Sequence, residues 1–169
     1  VSLSLGITYE KDVLEAARTV VLEVNPRLPR TFGDTEVHVS DVDLFVERDV
    51  EVPTLPSPSP SPTDLTIGGH IAELVENGST IQLGIGGIPN AAALALRDKR
   101  DLGVHTEMLV DSVMELAEMG VVTNGCKGLL KGKFVCCFSM GSRRLYDWLH
   151  DNVAVQFERG GWVNDPAVI

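Results

Sequence analysis

The sequence predicts an α/β fold, a mostly parallel sheet with flanking helices. Three observations predict it. Strand-like and helix-like segments alternate from residue 63 onward, the pattern that builds parallel sheets. Lys133 to Phe138 is nearly continuously apolar, as a strand covered on both faces must be. A glycine-rich loop, Gly84-Ile85-Gly86-Gly87-Ile88, joins a strand-like run to a helix-like one.

In chain order, Val1 to Tyr9 is expected to be a strand and Lys11 to Val24 a helix. Val13, Ala16, Ala17, Val20, Val21 and Val24 recur three and four apart, the spacing of one helical face. Asn25-Pro26 ends it. Val37 to Val46 is β-branched and mostly extended. Pro53 to Pro62 holds five prolines in ten residues, which excludes a helix or central strand and predicts a semi-rigid spacer. The chain therefore divides into residues 1–52, a Pro/Ser-rich linker at 53–62, and residues 63–169.

Asp64 is the expected N-cap of a helix reaching about Asn77, with Ile67, Ile71, Leu74 and Val75 on its apolar face. Thr80 to Leu83 reads as a strand. Pro89 then stands where a helix would begin, running on to Arg97. Val104 to Glu107 reads as a strand and Asp111 to Met119 as a helix. Gly120 to Thr123 turns into another strand. Ser142 caps a helix bearing Leu145, Trp148 and Leu149, and Val153 to Phe157 is the last expected strand.

The chain has 14 Lys+Arg against 24 Asp+Glu, a formal net charge of −10. That argues against a nucleic-acid or membrane-surface partner held by charge. No run of 18 apolar residues suggests a membrane span. Three cysteines make a secreted disulfide framework unexpected.

Chemistry is expected at the glycine loop. Glycines let a ligand approach the backbone amides, and the helix start adds unpaired N–H groups and a positive dipole end. Glu107 ends a later strand, and strand carboxyl ends gather at the ligand edge of an open α/β sheet. Two chemistries fit. The loop almost matches G-x-G-x-x-G with an acidic residue about 20 positions on, a dinucleotide site, but Pro89 replaces the third glycine. Alternatively, Glu107 is a nucleophile toward an activated acyl group, and the loop holds the acyl carrier or the developing oxyanion.

Gly84 to Pro89, followed by Asp101-Leu102-Gly103-Val104-His105-Thr106-Glu107-Met108, resembles the acetyl-CoA hydrolase/transferase family, in its 4-hydroxybutyrate and butyrate:acetate CoA-transferase type. The likeness continues through Gly120 to Asn124, Met140-Gly141, Leu145-Tyr146-Asp147 and Asn164-Asp165-Pro166. Upstream it includes Val24-Asn25-Pro26, Leu28 to Asp34 and His38 to Asp43. The resemblance implies a CoA-transferase-like two-domain fold, here incomplete. Residues 1–52 would end the first domain and residues 63–169 begin the second, catalytic one. With no Met at Val1 and the stop at Ile169, the chain is expected to be a piece of a longer protein, and inactive alone.

The resemblance further implies Glu107 as catalytic residue, with Gly84, Ile85, Gly86, Gly87 and Ile88 contacting coenzyme A as substrate. It implies an acyl-CoA and a small carboxylic acid as partners, a homo-oligomer, and a cytoplasmic or mitochondrial-matrix location. Acetyl-CoA hydrolysis is the near alternative. No metal is expected, since His38, Asp41 and Asp43 offer too few ligands. Cys136 and Cys137 are expected in the core, and His105 could tune Glu107. Lys127, Lys131 and Lys133 are expected in a solvated loop, with an approach to CoA phosphates as the alternative.

Overall fold

A computed structural model describes residues 1–169. The elements are α1 (Glu10–Ala16), β1 (Val21–Val24), β2 (Phe32–Gly33), β3 (Leu44–Glu47), α2 (Pro62–Leu74), β4 (Thr80–Ile81), α3 (Gly87–Ala95), β5 (Gly103–Val104), β6 (Met108–Leu109), α4 (Asp111–Glu118), β7 (Phe134–Cys136), β8 (Phe138–Ser139), α5 (Arg143–Leu149), β9 (Val155–Phe157) and α6 (Gly160–Val163).

Every strand pair is parallel, as the alternation of strands and helices predicts. Strand β9 lies between β2 and β7. A bridge from His105 to Val135 joins this group to β5 and β4. The order across the sheet is therefore β4-β5-β7-β9-β2. The β6–β8 pair carries the same sheet onward, since Met108 faces Phe138 at the offset by which His105 faces Val135. The larger core packs α4 and α5, through Val113, Met114, Leu116, Leu145 and Leu149, against strand residues Val104, Leu109 and Phe157. A second small core, Val135, Cys137 and Val163, gathers residues from the sheet and α6.

Several expectations are corrected. The helix predicted over Lys11 to Val24 stops at Ala16, and Val21–Val24 is a strand paired with Leu44–Glu47. Thr19, Val20 and Val21 are β-branched and stiff at χ1, so strand pairing overrides the helical spacing. Val1 to Tyr9 makes only isolated bridges, at Ser2 and Gly6. Helix α2 is capped by Ser61, with Asp64 as the reciprocal partner three residues on, a capping box. Its buried residues are Gly68 and Ala72, while Ile67, Ile71 and Leu74 are exposed. A Cβ at Gly68 would lie 2.5 Å from the Ala91 carbonyl carbon. The helix turns its side-chain-free face inward so that α3 can approach backbone to backbone.

Residues 53–61 of the Pro/Ser segment have no regular structure, Pro62 already opening α2, yet the segment is fastened down. Tyr146 Oη donates to Pro53 O at 2.9 Å. Leu55 N donates to Gly141 O at 2.9 Å. Asn90 Nδ2 donates to Ser57 Oγ and Pro58 O, each at 2.8 Å. What the composition predicts as a spacer is a strap beside the glycine loop, bordering a small cleft lined by Ile85, Gly86, Val110 and Gly141. At the other end of the chain, Arg159 holds Asp12, Glu15 and Asp34 at 2.7, 2.5 and 2.6 Å, fastening α1.

Candidate active site

The ladder between β4 and β5 pairs Thr80 with Gly103 and Ile81 with Val104. Beyond the paired residues, the same offset would bring Leu83 beside Thr106 and Gly84 near Glu107. The first of these is bonded directly: Thr106 Oγ1 donates to Leu83 O at 3.4 Å and to Met108 O at 3.0 Å. Thr106 is wholly buried, so it ties the root of the glycine loop to the bend that carries Glu107. Nothing in the sequence pattern singles Thr106 out, because a buried threonine in a strand is ordinary.

The loop leaves β4 and enters α3 through Gly86, whose φ is +124°. A side chain there would be strained. The helix begins at Gly87, two residues before the expected Pro89. Pro89 is tolerated as the third helical residue because amides of the first turn have no intrahelical acceptor. The amides of Gly87 and Ile88 lie in that unpaired turn. Gly84 and Ile85 are exposed.

Glu107 is half-buried at a bend between β5 and β6. Its backbone carbonyl accepts from Cys137 N at 3.0 Å, Phe138 N at 3.1 Å and Cys137 Sγ at 3.2 Å. Lys133 to Phe138, predicted as one strand, is creased there: Cys137 separates β7 from β8 just opposite the Glu107 bend. Cys136 and Cys137 are fully buried, as expected, and burial raises both thiols above the usual range.

The remaining candidates have local roles. His105 is buried, its Nε2 lies 2.9 Å from Val163 O, and its ring packs on Trp162 at 5.7 Å between centroids. His38 Nδ1 accepts from Ser40 N at 3.2 Å, and Asp43 Oδ2 accepts from Val20 N at 2.8 Å. Both are therefore engaged in turn and backbone hydrogen bonds.

Lys127 departs from the solvated-loop expectation. It is only 5% exposed, and its Nζ donates to Val104 O at 2.8 Å and Lys133 O at 2.7 Å. Its stem crosses Gly103, where a Cβ would fall 2.5 Å from Lys127 Cγ. Desolvation lowers its pKa from 10.5 to about 8. Between those two values the unfolded chain holds a proton that the folded protein has released. This group therefore makes stability rise with pH across that window. In Lys127→Met that rise should disappear, as urea midpoints at either end of the window would show.

No family model matches the chain. It is 44% identical over 168 residues to a 4-hydroxybutyrate coenzyme A transferase of Clostridium kluyveri, which takes in 98% of this chain and 39% of that protein. It is 42% identical over 163 residues to a succinyl-CoA:cyclohexane-1-carboxylate CoA transferase of Geobacter metallireducens, covering 96% of this chain and 37% of that protein. A crystal structure of 4-hydroxybutyrate CoA-transferase from Porphyromonas gingivalis superposes with a TM-score of 0.96 at 35% identity, covering 99% of this chain and 43% of that one. The chain thus spans about two fifths of the length of the relatives it matches.

Proposed function

This chain belongs to the family of the 4-hydroxybutyrate and butyrate:acetate CoA-transferases, and from that premise we propose that it carries the nucleophile and part of the CoA site of such an enzyme. The reaction moves CoA between an acyl-CoA and a small carboxylic acid. The observation that supports the proposal is that β4 and β5 are parallel neighbours, the glycine loop leaving β4 and Glu107 standing three residues past β5, with Thr106 Oγ1 bonded to Leu83 O at the root of the loop. Ligands bind beyond the carboxyl ends of such strands.

The Glu107 carboxylate attacks the thioester carbonyl carbon. The C–S bond breaks, leaving an acyl-glutamyl anhydride and CoA thiolate. The thiolate then attacks the glutamyl carbonyl carbon, the first carboxylic acid departs as its carboxylate, and a glutamyl-CoA thioester remains. The acceptor carboxylate reverses both steps: it attacks the glutamyl carbonyl and expels the thiolate, which takes up the new acyl group and frees Glu107. The unpaired amides of Gly84 to Ile88 meet an anion, either a CoA phosphate or the developing oxyanion. In a chain of net charge −10, anionic CoA is held by such local amides rather than by bulk charge. In this reading residues 1–52 and 63–169 come from two domains of a longer enzyme joined by the strap, β2 of the first piece pairing with β9 of the second, and the enzyme assembles from identical subunits.

The test uses the protein at its full natural length. Incubation with acyl-CoA followed by borohydride should reduce the glutamyl thioester to the alcohol with release of CoA thiol, and peptide mass spectrometry should find the reduced side chain at residue 107. Turnover that depends on added acetate marks a transferase; turnover without it marks the hydrolase. Tight NAD binding with no CoA binding in titration would overturn the proposal.

A further inference from the structure

Glu107 and Cys137 are register partners, standing at the offset that relates His105 to Val135 and Met108 to Phe138. Both strands break at this pair. Two successive amides, of Cys137 and Phe138, converge on the Glu107 carbonyl. The offset is the same on both sides of the pair, so no residue is inserted, and the ladder creases at this one shared carbonyl. The Cys137 thiol adds a third donor to the same oxygen at 3.2 Å.

The cysteine is itself pinned. Its side chain is inaccessible to water, and its own carbonyl accepts from Ile7 N at 2.8 Å. A thiol donates only while protonated, and burial keeps it so.

We propose that Cys137 is a positioning residue: its thiol locks the peptide of Glu107 at the crease, so that the carboxylate meets the thioester carbon in one orientation. The catalytic consequence rests on Glu107 being the nucleophile. The structural part does not.

Two variants and two readouts test it in the full-length enzyme. Cys137→Ala removes the donor, whereas Cys137→Ser keeps one. Cys137→Ala should lower kcat roughly 10-fold at unchanged KM for acyl-CoA, since small misplacements of a reacting group are costly. Cys137→Ser should recover most of that loss. Exchange of the Cys137 and Phe138 amides, which donate to the same Glu107 carbonyl, should quicken in Cys137→Ala and not in Cys137→Ser. Parental exchange in Cys137→Ala, or equal impairment of both variants, would overturn the proposal. If the parent enzyme transfers no CoA, the function reading falls, and the exchange measurement alone decides the clamp.

Discussion

If Glu107 is the nucleophile proposed above, replacing it with glutamine in the full-length enzyme should reduce CoA transfer by roughly 10³-fold or more, the scale on which losing a covalent nucleophile acts. Glutamine matches glutamate in size, but its amide does not attack a thioester. The Glu107 carboxylate makes no hydrogen bond or ion pair within the fold, where only the backbone carbonyl is engaged. The thermal midpoint should therefore stay at the parental value. CoA should still bind, since the glycine loop is untouched, and the borohydride-reduced side chain at residue 107 should no longer be found. Activity within tenfold of the parent would remove Glu107 from the mechanism.

The second large effect is structural. Gly68→Val should destabilise the protein by about 3 kcal/mol, the upper part of the range for overpacking. The added Cβ would collide with backbone, 2.5 Å from Ala91 C and 2.7 Å from Ala92 N, and no rotamer change relieves a clash with backbone. Helix α3 must shift, and the glycine loop at its start must shift with it. CoA affinity should therefore fall along with the urea midpoint. Gly69 supplies the control. A Cβ there meets nothing within 4 Å, so Gly69→Ala should be neutral or gain up to about 1 kcal/mol from helix propensity. Equal losses in both variants would mean that the cost is general to the helix and does not arise at the α2–α3 contact.

The readable parts of the sequence were those in which local chemistry and tertiary demand agree. The strand, glycine loop and helix from Thr80 onward, the Ser142 cap and the parallel sheet are of this kind. Reading failed where tertiary structure outweighed local pattern. The valines from Val20 to Val24 fit a helical stripe, but pairing with Leu44–Glu47 makes them a strand. The apolar side chains of α2 promised a buried face, yet steric closeness to α3 selects Gly68 and Ala72. Lys127 looked solvated because lysine usually is; only the fold reveals the two carbonyls that receive its ammonium. The crease at Cys137 is equally hidden, since a run of apolar residues carries no sign of where its ladder will bend. The glycine loop is legible from its glycines and the helix that follows, and Glu107 from its place after a strand, while the role of each comes from motif resemblance. The fold adds that β4 and β5, which lead into them, are parallel neighbours.

The central place of β9 bears on how the chain is made. Residues 155–157 separate β2 from β7 and pair with both, while β2 lies at residues 32–33. During synthesis, β2 has no neighbour in its sheet until more than 120 further residues have left the ribosome. Closing so long a loop makes this a late, high-contact-order step. Until then, the aromatic ring of Phe32 and the open amides beside it are available to chaperones. Released chains ending just before Val155 should accordingly be far more sensitive to protease near residue 32 than released chains ending after Val163.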